Sequence, residues 1–158
     1  MAIAPTLKEY LSAENIAYDL IEHRPAMSAT RLAEACKISG DSLAKAVLLR
    51  SRDGYLLAIL PASHHIRLGD GTLQRLLCRD VDLASESELA HVFQDCVNGA
   101  IPPVGACYGL DAIVDESMEE QPEVYMEAGD HETLVHMNHI QFARLTKDAW
   151  RGHFSAHD

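Results

Sequence analysis

A lysine inside an apolar strand needs a reason. Lys45 stands in Ser42-Leu-Ala-Lys-Ala-Val-Leu-Leu-Arg50 with only aliphatic residues on either side. Strand alternation puts Lys45, Val47 and Leu49 on one face. Its ammonium must either sit at a sheet rim, blunting an edge strand, or reach a polar cavity along its aliphatic stem. In a cavity it is a compact positive charge for a phosphate, a ribose hydroxyl or a carboxylate. A second segment, Asn98-Gly-Ala-Ile-Pro-Pro-Val-Gly105, combines two glycines with two adjacent prolines. Proline fixes φ, and glycine lets another molecule approach the main chain. The segment therefore reads as a stiff loop whose bare N–H groups can hold an oxyanion. A plain crossover between elements would use the same residues.

The third segment runs from Glu127 to Asn138, "EAGDHETLVHMN". Gly129 and Asp130 form a tight turn, and His131 opens the next strand. Alternation places His131, Thr133, Val135 and Met137 on one face and Glu132, Leu134, His136 and Asn138 on the other. Asp130, His131, His136 and His139 invite a metal reading. The alternation separates His131 from His136, however, and the spacing is not that of H-E-x-x-H. His64 and His65 are neighbours on a strand and face opposite ways. No metal or other cofactor is expected. No G-x-S-x-G elbow is present. Cys96 and Cys107 flank the loop with His91 nearby, a conceivable Cys–His pair, although structural thiols explain them more simply.

These groups need elements to hold them. Leu7, Tyr10 and Leu11 share a face, which predicts a helix over 6–14 with Thr6 as its cap. Residues 17–23 alternate and predict a strand carrying Tyr18, ended by Arg24-Pro25. Ser28 caps a second helix to about Cys36. Residues 44–50 and 55–62 predict a hairpin across Ser-Arg-Asp-Gly, the second strand apolar enough to be covered on both faces. A helix follows around 70–77, then a short strand at "VDLAS". Ser85 and Glu88 form a capping box for another helix. Strands are expected in "GLDAIVDES", "EVYMEAG" and "ETLVHMN", and a closing helix over 139–150 with Ile140, Ala143, Leu145 and Trp150 apolar. Short strands alternating irregularly with short helices predict a single α/β domain over 1–158, built on a mixed, largely antiparallel sheet. No phosphate-loop or dinucleotide fingerprint follows a strand.

The totals narrow the function classes. With 158 residues and 47% hydrophobic side chains the chain can bury a core. No apolar run is long enough to span a membrane, and the N-terminus lacks the pattern of a signal peptide, so a cytoplasmic location with no membrane partner is expected. The four cysteines show no C-x-x-C pair, consistent with free thiols in a reducing compartment. The net charge of −11 argues against generic nucleic-acid binding. Its distribution is uneven: residues 1–80 sum to +1 and residues 81–158 to −12. A phosphate-bearing partner should meet the first half, where Arg50, Arg52, Arg67, Arg75 and Arg79 are candidate contacts. Oligomeric state is not legible.

Taken together, "AYDLIEHRPAMSA", "LAKAVLLR", "YLLAILPASH", "GAIPPVG" and "PEVYMEAGDHETLVHM" resemble, in order and spacing, the YbaK/prolyl-tRNA-synthetase-associated domain family, the aminoacyl-tRNA editing deacylases. The resemblance spans about Ala17 to Met137 and is closest to stand-alone bacterial members. It implies a mixed sheet curved towards a barrel and hydrolysis of the ester joining a wrong amino acid to tRNA. The partner implied is the acceptor end of an aminoacylated tRNA, with an aminoacyl-tRNA synthetase as a possible second partner. The family's lysine maps onto Lys45 and its glycine-rich loop onto Gly99 through Gly105, including Ala100, Ile101, Pro102 and Pro103. Its later glycine turn maps onto Gly129 and Asp130, and His131 falls where some prolyl-editing relatives carry a histidine. Tyr18 lies where relatives contribute to the substrate pocket. Ala46 departs from the family, which often has a polar residue there. A non-catalytic module sensing an amino acid or aminoacylated ligand would use the same features, and a small-molecule ester or amide hydrolase would need the same oxyanion donors.

Overall fold

The computed structural model describes residues 3–26 and 28–158; Met1, Ala2 and Met27 lie outside the described residues. Its strands are β1 (Asp19–Glu22), β2 (Leu43–Ser51), β3 (Gly54–Pro61), β4 (His64–Ile66), β5 (Val81–Leu83), β6 (Asp111–Asp115), β7 (Glu123–Glu127), β8 (Thr133–Asn138), β9 (Trp150–Gly152) and β10 (Ser155–His157). The helices are α1 (Pro5–Ala13), α2 (Ala29–Cys36), α3 (Thr72–Leu77), α4 (Glu86–Val92) and α5 (His139–Leu145). The β2–β3 hairpin forms the centre, in antiparallel register from Ala44↔Pro61 to Ser51↔Gly54. The main sheet runs β1-β8-β7-β2-β3-β6-β9, with β5 also on β2, and β4 pairs with β10 in a separate ladder. The β2–β7, β3–β6 and β6–β9 pairs are parallel and the rest antiparallel, the mixed, mostly antiparallel α/β fold expected from the sequence.

β3 explains why its sequence is almost uninterrupted in apolar residues. Leu57 and Ile59 enter one core, with Leu7, Leu11, Val114, Met126, Val135 and Phe142. Leu56, Ala58 and Leu60 enter a second core on the other face, with Leu73, Leu77, Ile113 and Phe154. A strand covered on both sides needs no polar face. A third cluster packs Leu32 and Ala33 of α2 onto Leu43, Ala62 and Leu134. It holds α2 over the start of β2, beside Lys45.

Helix starts follow the local chemistry. Ser28 accepts a hydrogen bond from Arg31 N, and Ser85 and Glu88 form the reciprocal capping box. The expected Thr6 cap is replaced: Pro5 occupies the first helical turn, the cap position is Ala4, and the Thr6 N–H is satisfied by Asp95 Oδ2 at 2.9 Å. A distant carboxylate does the work of a local hydroxyl.

The closing helix is shorter than the periodicity predicts. α5 stops at Leu145, where the Thr146 hydroxyl donates to Phe142 O at 2.8 Å and the Arg151 guanidinium takes the carbonyls of Thr146 and Ala149. Its buried side chains are Phe142 and Leu145, while Ile140 is exposed. Trp150 begins β9 rather than ending a helix. The predicted strand over 17–23 is likewise shorter, with Tyr18 just before β1. Two short strands escaped the sequence pattern altogether, β4 and β10. Their segment is tied to the main sheet by the fully buried Asp115, which accepts from the backbone N–H of Phe154 (2.9 Å) and of Ser155 (3.0 Å).

Candidate functional site

β2 has an interrupted edge. On one side β3 pairs along its whole length. On the other, β7 pairs only with Leu43 and Ala44, and β5 only with Leu49, Arg50 and Ser51. Main-chain direction follows from the bonds that are made. Ala62 N donates to Leu43 O on the β3 side, whereas Tyr125 N donates to Ser42 O and Ala84 N to Leu48 O on the other. Even-numbered residues of β2 therefore turn their N–H and C=O away from β3. Ala46 lies between the two partial partners, so its main-chain donor and acceptor face the gap. An alanine whose side chain offers no polar group can bind through its backbone.

A cavity of about 400 Å³ opens at this gap. Its walls include Ala44, Lys45 and Ala46 of β2, Ser28 and Leu32 around α2, and Glu86 and Leu89 of α4. The loop supplies Asn98, Gly99 and Ile101, and the end of β7 and its turn supply Glu127 and His131. This volume lies in the range of small-ligand sites, and the lining is largely apolar with a few convergent polar groups. Five of the sequence-predicted residues meet here: Lys45, Ala46, Gly99, Ile101 and His131.

The other predicted residues lie elsewhere. Ala100, Pro102 and Pro103 are buried beneath the loop. Gly105 lines a different cavity, of about 200 Å³, beside Leu110 and Leu145. A Cβ on Gly105 would come within 2.9 Å of Leu110 O, so this glycine serves close packing. Gly129 has φ +104, and a Cβ there would meet Ala4 Cβ at 2.8 Å. Asp130 folds the turn, accepting from Glu132 N at 2.9 Å and from the Thr133 hydroxyl at 2.8 Å. Tyr18 is half-buried against the main core. The loop and the turn are joined by a bond from Val97 N to Gly129 O at 2.6 Å. That bond ties the two segments together even where their residues do not face the cavity.

Lys45 is half-buried, and its ammonium donates to Ala62 O at 3.4 Å and His64 O at 2.5 Å. Burial lowers its pKa, opposed more weakly by the Asp158 carboxylate. Two of its three N–H donors are committed, leaving one for a ligand.

The sequence reading missed two partners of His131, namely Glu127 and His23. Glu127 Oε2 lies 3.0 Å from His131 Nδ1, and Glu127 Oε1 lies 3.0 Å from His23 Nε2. The outer ring nitrogens face backbone oxygens: His23 Nδ1 to Arg24 O at 2.8 Å and His131 Nε2 to Ala26 O at 3.1 Å. A carbonyl only accepts, so each outer nitrogen carries a proton. Glu127 thus bridges the two imidazoles, one on each carboxylate oxygen. Burial pushes the Glu127 carboxyl up, and the two histidines pull it back. His131 is held in the left-handed region, φ 62, as the turn requires. The available signal was a carboxylate four residues before His131 in a strand otherwise rich in apolar residues.

Other candidates are occupied. Arg50 pairs with Glu88 at 3.1 Å, Arg67 contacts Asp70 at 3.8 Å, and Arg79 lies 5.8 Å over the Trp150 ring. Burial pushes the Cys96 thiol up to about 11 and the Cys107 thiol up to about 12, so neither is a ready thiolate nucleophile.

The profile of the aminoacyl-tRNA editing domain matches residues 23–145. The chain belongs to this family. No curated protein sequence matches it. Among solved structures, it is similar to a proposed trans-editing enzyme for prolyl tRNA synthetase, with TM-score 0.80, 22% identity, and coverage of 98% of this chain and 99% of that one. It also resembles the hypothetical protein APE2540, with TM-score 0.82, 17% identity, and coverage of 96% and 99%. A proposed signal transduction protein from Marinobacter aquaeolei VT8 matches with TM-score 0.75 and 23% identity; 96% of this chain corresponds to 30% of that one. At these identities the structural matches speak to the fold alone. No helix among the described residues is long and apolar enough to cross a membrane.

Proposed function

We propose that this chain is a trans-acting deacylase that hydrolyses the ester of a mischarged tRNA, of the prolyl-tRNA editing type. The observation that carries the reading is the single cavity shared by Lys45, the exposed edge at Ala46, Gly99 and His131. In the reaction, water adds to the ester carbonyl. The C–O bond to the ribose breaks, the ribose oxygen leaves with a proton, and the free amino acid departs as its carboxylate. An ester is already an activated acyl group, so no protein nucleophile is required.

Lys45 offers its remaining N–H to the phosphate or ribose of the terminal nucleotide. Main-chain N–H groups at the Gly99 end of the loop meet the developing oxyanion, where fixed donors are worth most. Pro102 and Pro103 keep that loop from moving. The Gly129–His131 turn bounds the space for the amino-acid side chain. The substrate's own ribose hydroxyl or a bound water supplies local proton transfer.

A panel of mischarged tRNAs tests this, beginning with alanyl- and cysteinyl-tRNA of the proline acceptor. Turnover supports the editing reading, whereas saturable binding without turnover assigns a sensor. Lys45→Ala is expected to lower the deacylation rate by about 100-fold or more, roughly 2.7 kcal/mol or more of lost transition-state stabilisation. Wild-type rates in that variant would remove Lys45 from the mechanism.

A further inference from the structure

We propose a second site, for a divalent cation of the zinc type, formed by Asp41, His64 and His157 at the β4–β10 ladder. His64 and His157 are direct cross-strand partners in that ladder. Asp41 comes from the connection between α2 and β2, so three distant stretches of sequence supply the three ligands. One ligand atom from each lies within 4.8 Å of the others. His157 Nε2 stands 3.3 Å from Asp41 Oδ1. Metal arms of about 2.0 Å in tetrahedral geometry place ligand atoms roughly 3.3 Å apart, so one edge of the coordination figure is already set.

The outer contacts fix the ligands as a metal would need them. His64 Nδ1 lies 2.8 Å from Ser155 Oγ, a hydroxyl able to accept from it. His157 Nδ1 donates to Asp158 O at 3.0 Å. The carbonyl fixes the His157 proton on Nδ1, and with Ser155 Oγ accepting, His64 takes the same tautomer, so both rings can present the Nε2 lone pair inward. The Ser63 hydroxyl donates to Asp41 Oδ1 and holds that carboxylate in place. Oxygen partners on the far side of ligating imidazoles and carboxylates are the usual outer shell of a zinc site. Two imidazoles and one carboxylate suit zinc and leave a fourth position for water. The site also bears on Lys45, because the His64 carbonyl is one of its two acceptors. A cation there would pin the segment that orients the ammonium.

The simpler arrangement is an ion pair between protonated His157 and Asp41, and the test separates the two. Untagged full-length protein, stripped with a chelator, is titrated calorimetrically with Zn²⁺ on a Cys78→Ser background, which removes the exposed thiol. One ion per chain is expected, with a thermal midpoint raised by about 5–10 °C at 100-fold over Kd. Co²⁺ should give the intense visible bands of a tetrahedral centre. Asp41→Asn, at a half-buried position, and His157→Gln, at an exposed one, should each weaken Zn²⁺ by tenfold or more, while His65→Gln on the opposite face of β4 should leave it unchanged. Circular dichroism of the metal-free variants monitors folding. Absence of binding at 100 μM Zn²⁺, or equal affinity in Asp41→Asn, His157→Gln and the parent, means an ion pair only and overturns the proposal. The deacylation panel on metal-free protein reports on the acyl cavity separately.

Discussion

Glu127 is the residue on which the orientation of His131 turns. Its two oxygens bridge His23 and His131, and it is almost fully buried. Glu127→Gln keeps the shape but replaces a two-sided acceptor by one donor and one acceptor. The symmetric bridge between the two imidazoles is then lost. The variant is expected to stay folded, yet His131 loses its fixed orientation at the cavity wall. Misplacement on this scale costs up to about 100-fold in rate. Single-turnover deacylation should show the loss in the chemical step. Glu127→Ala, which strands the buried His23 imidazole and the half-buried His131, should instead destabilise the fold by about 3 kcal/mol, read by denaturant melts.

Among the elements, β8 is held to both neighbours by one imidazole. His136 Nδ1 lies 2.6 Å from Asp19 Oδ1 on β1, and His136 Nε2 lies 2.8 Å from Glu123 Oε1 on β7. Burial lowers its pKa, but the hydrogen bonds and charges of the two carboxylates together outweigh burial and raise it. A group whose folded pKa is raised contributes stability that is fully present below the unfolded value near 6.5 and is lost as pH rises through the folded value. The two carboxylates are well exposed, so the contribution is about 1 kcal/mol or less. Thermal melts between pH 6 and pH 9 should show this decline in the parent, and His136→Gln should flatten it.

The same elements show what a sequence can and cannot disclose. The hairpin, the Ser85–Glu88 capping box and the two-faced β3 were legible because each is written in local periodicity and turn chemistry. α5 was overextended because its stop is made by Arg151, which reaches back from the next strand. β4 and β10 were invisible because three-residue strands have too little alternation to register, and Asp115 buries their link to the sheet. At the site, Lys45 and the loop stood out as anomalies of composition. His23 did not, since nothing local connects it to a carboxylate 104 residues away. Gly105 illustrates the opposite error: a glycine beside a stiff loop suggests ligand approach, whereas here it makes room for Leu110 O.

At the scale of the whole molecule, charge governs how a polyanion can be received. The −12 carried by residues 81–158 repels a nucleic acid over much of the surface, while residues 1–80 are nearly neutral. Several candidate arginines are already engaged by the protein's own groups. A grip confined to the acceptor end implies about three phosphate contacts. The logarithm of affinity should then fall against the logarithm of salt with a slope of roughly −2, as for single strands. Filter binding of uncharged tRNA from 50 to 300 mM salt measures it. A slope steeper than about −5 would mean a long groove and a different mode of engagement.

Under the proposed editing reaction, the interrupted edge of β2 would set a ruler on the acyl group. Between the last residue joined to β7 and the first joined to β5 lie four positions, Lys45 to Leu48, and Leu48 O is already taken by Ala84 N. At about 3.3 Å per residue the vacant stretch is roughly 10 Å long, enough for one aminoacyl unit and its ester. A nascent dipeptide or tripeptide lying along it would collide with β5. Peptidyl-tRNA should therefore be spared, with N-acetylated diprolyl-tRNA turned over at least tenfold more slowly than an aminoacyl ester in the same assay. The fold would protect unfinished proteins by being too short to hold them.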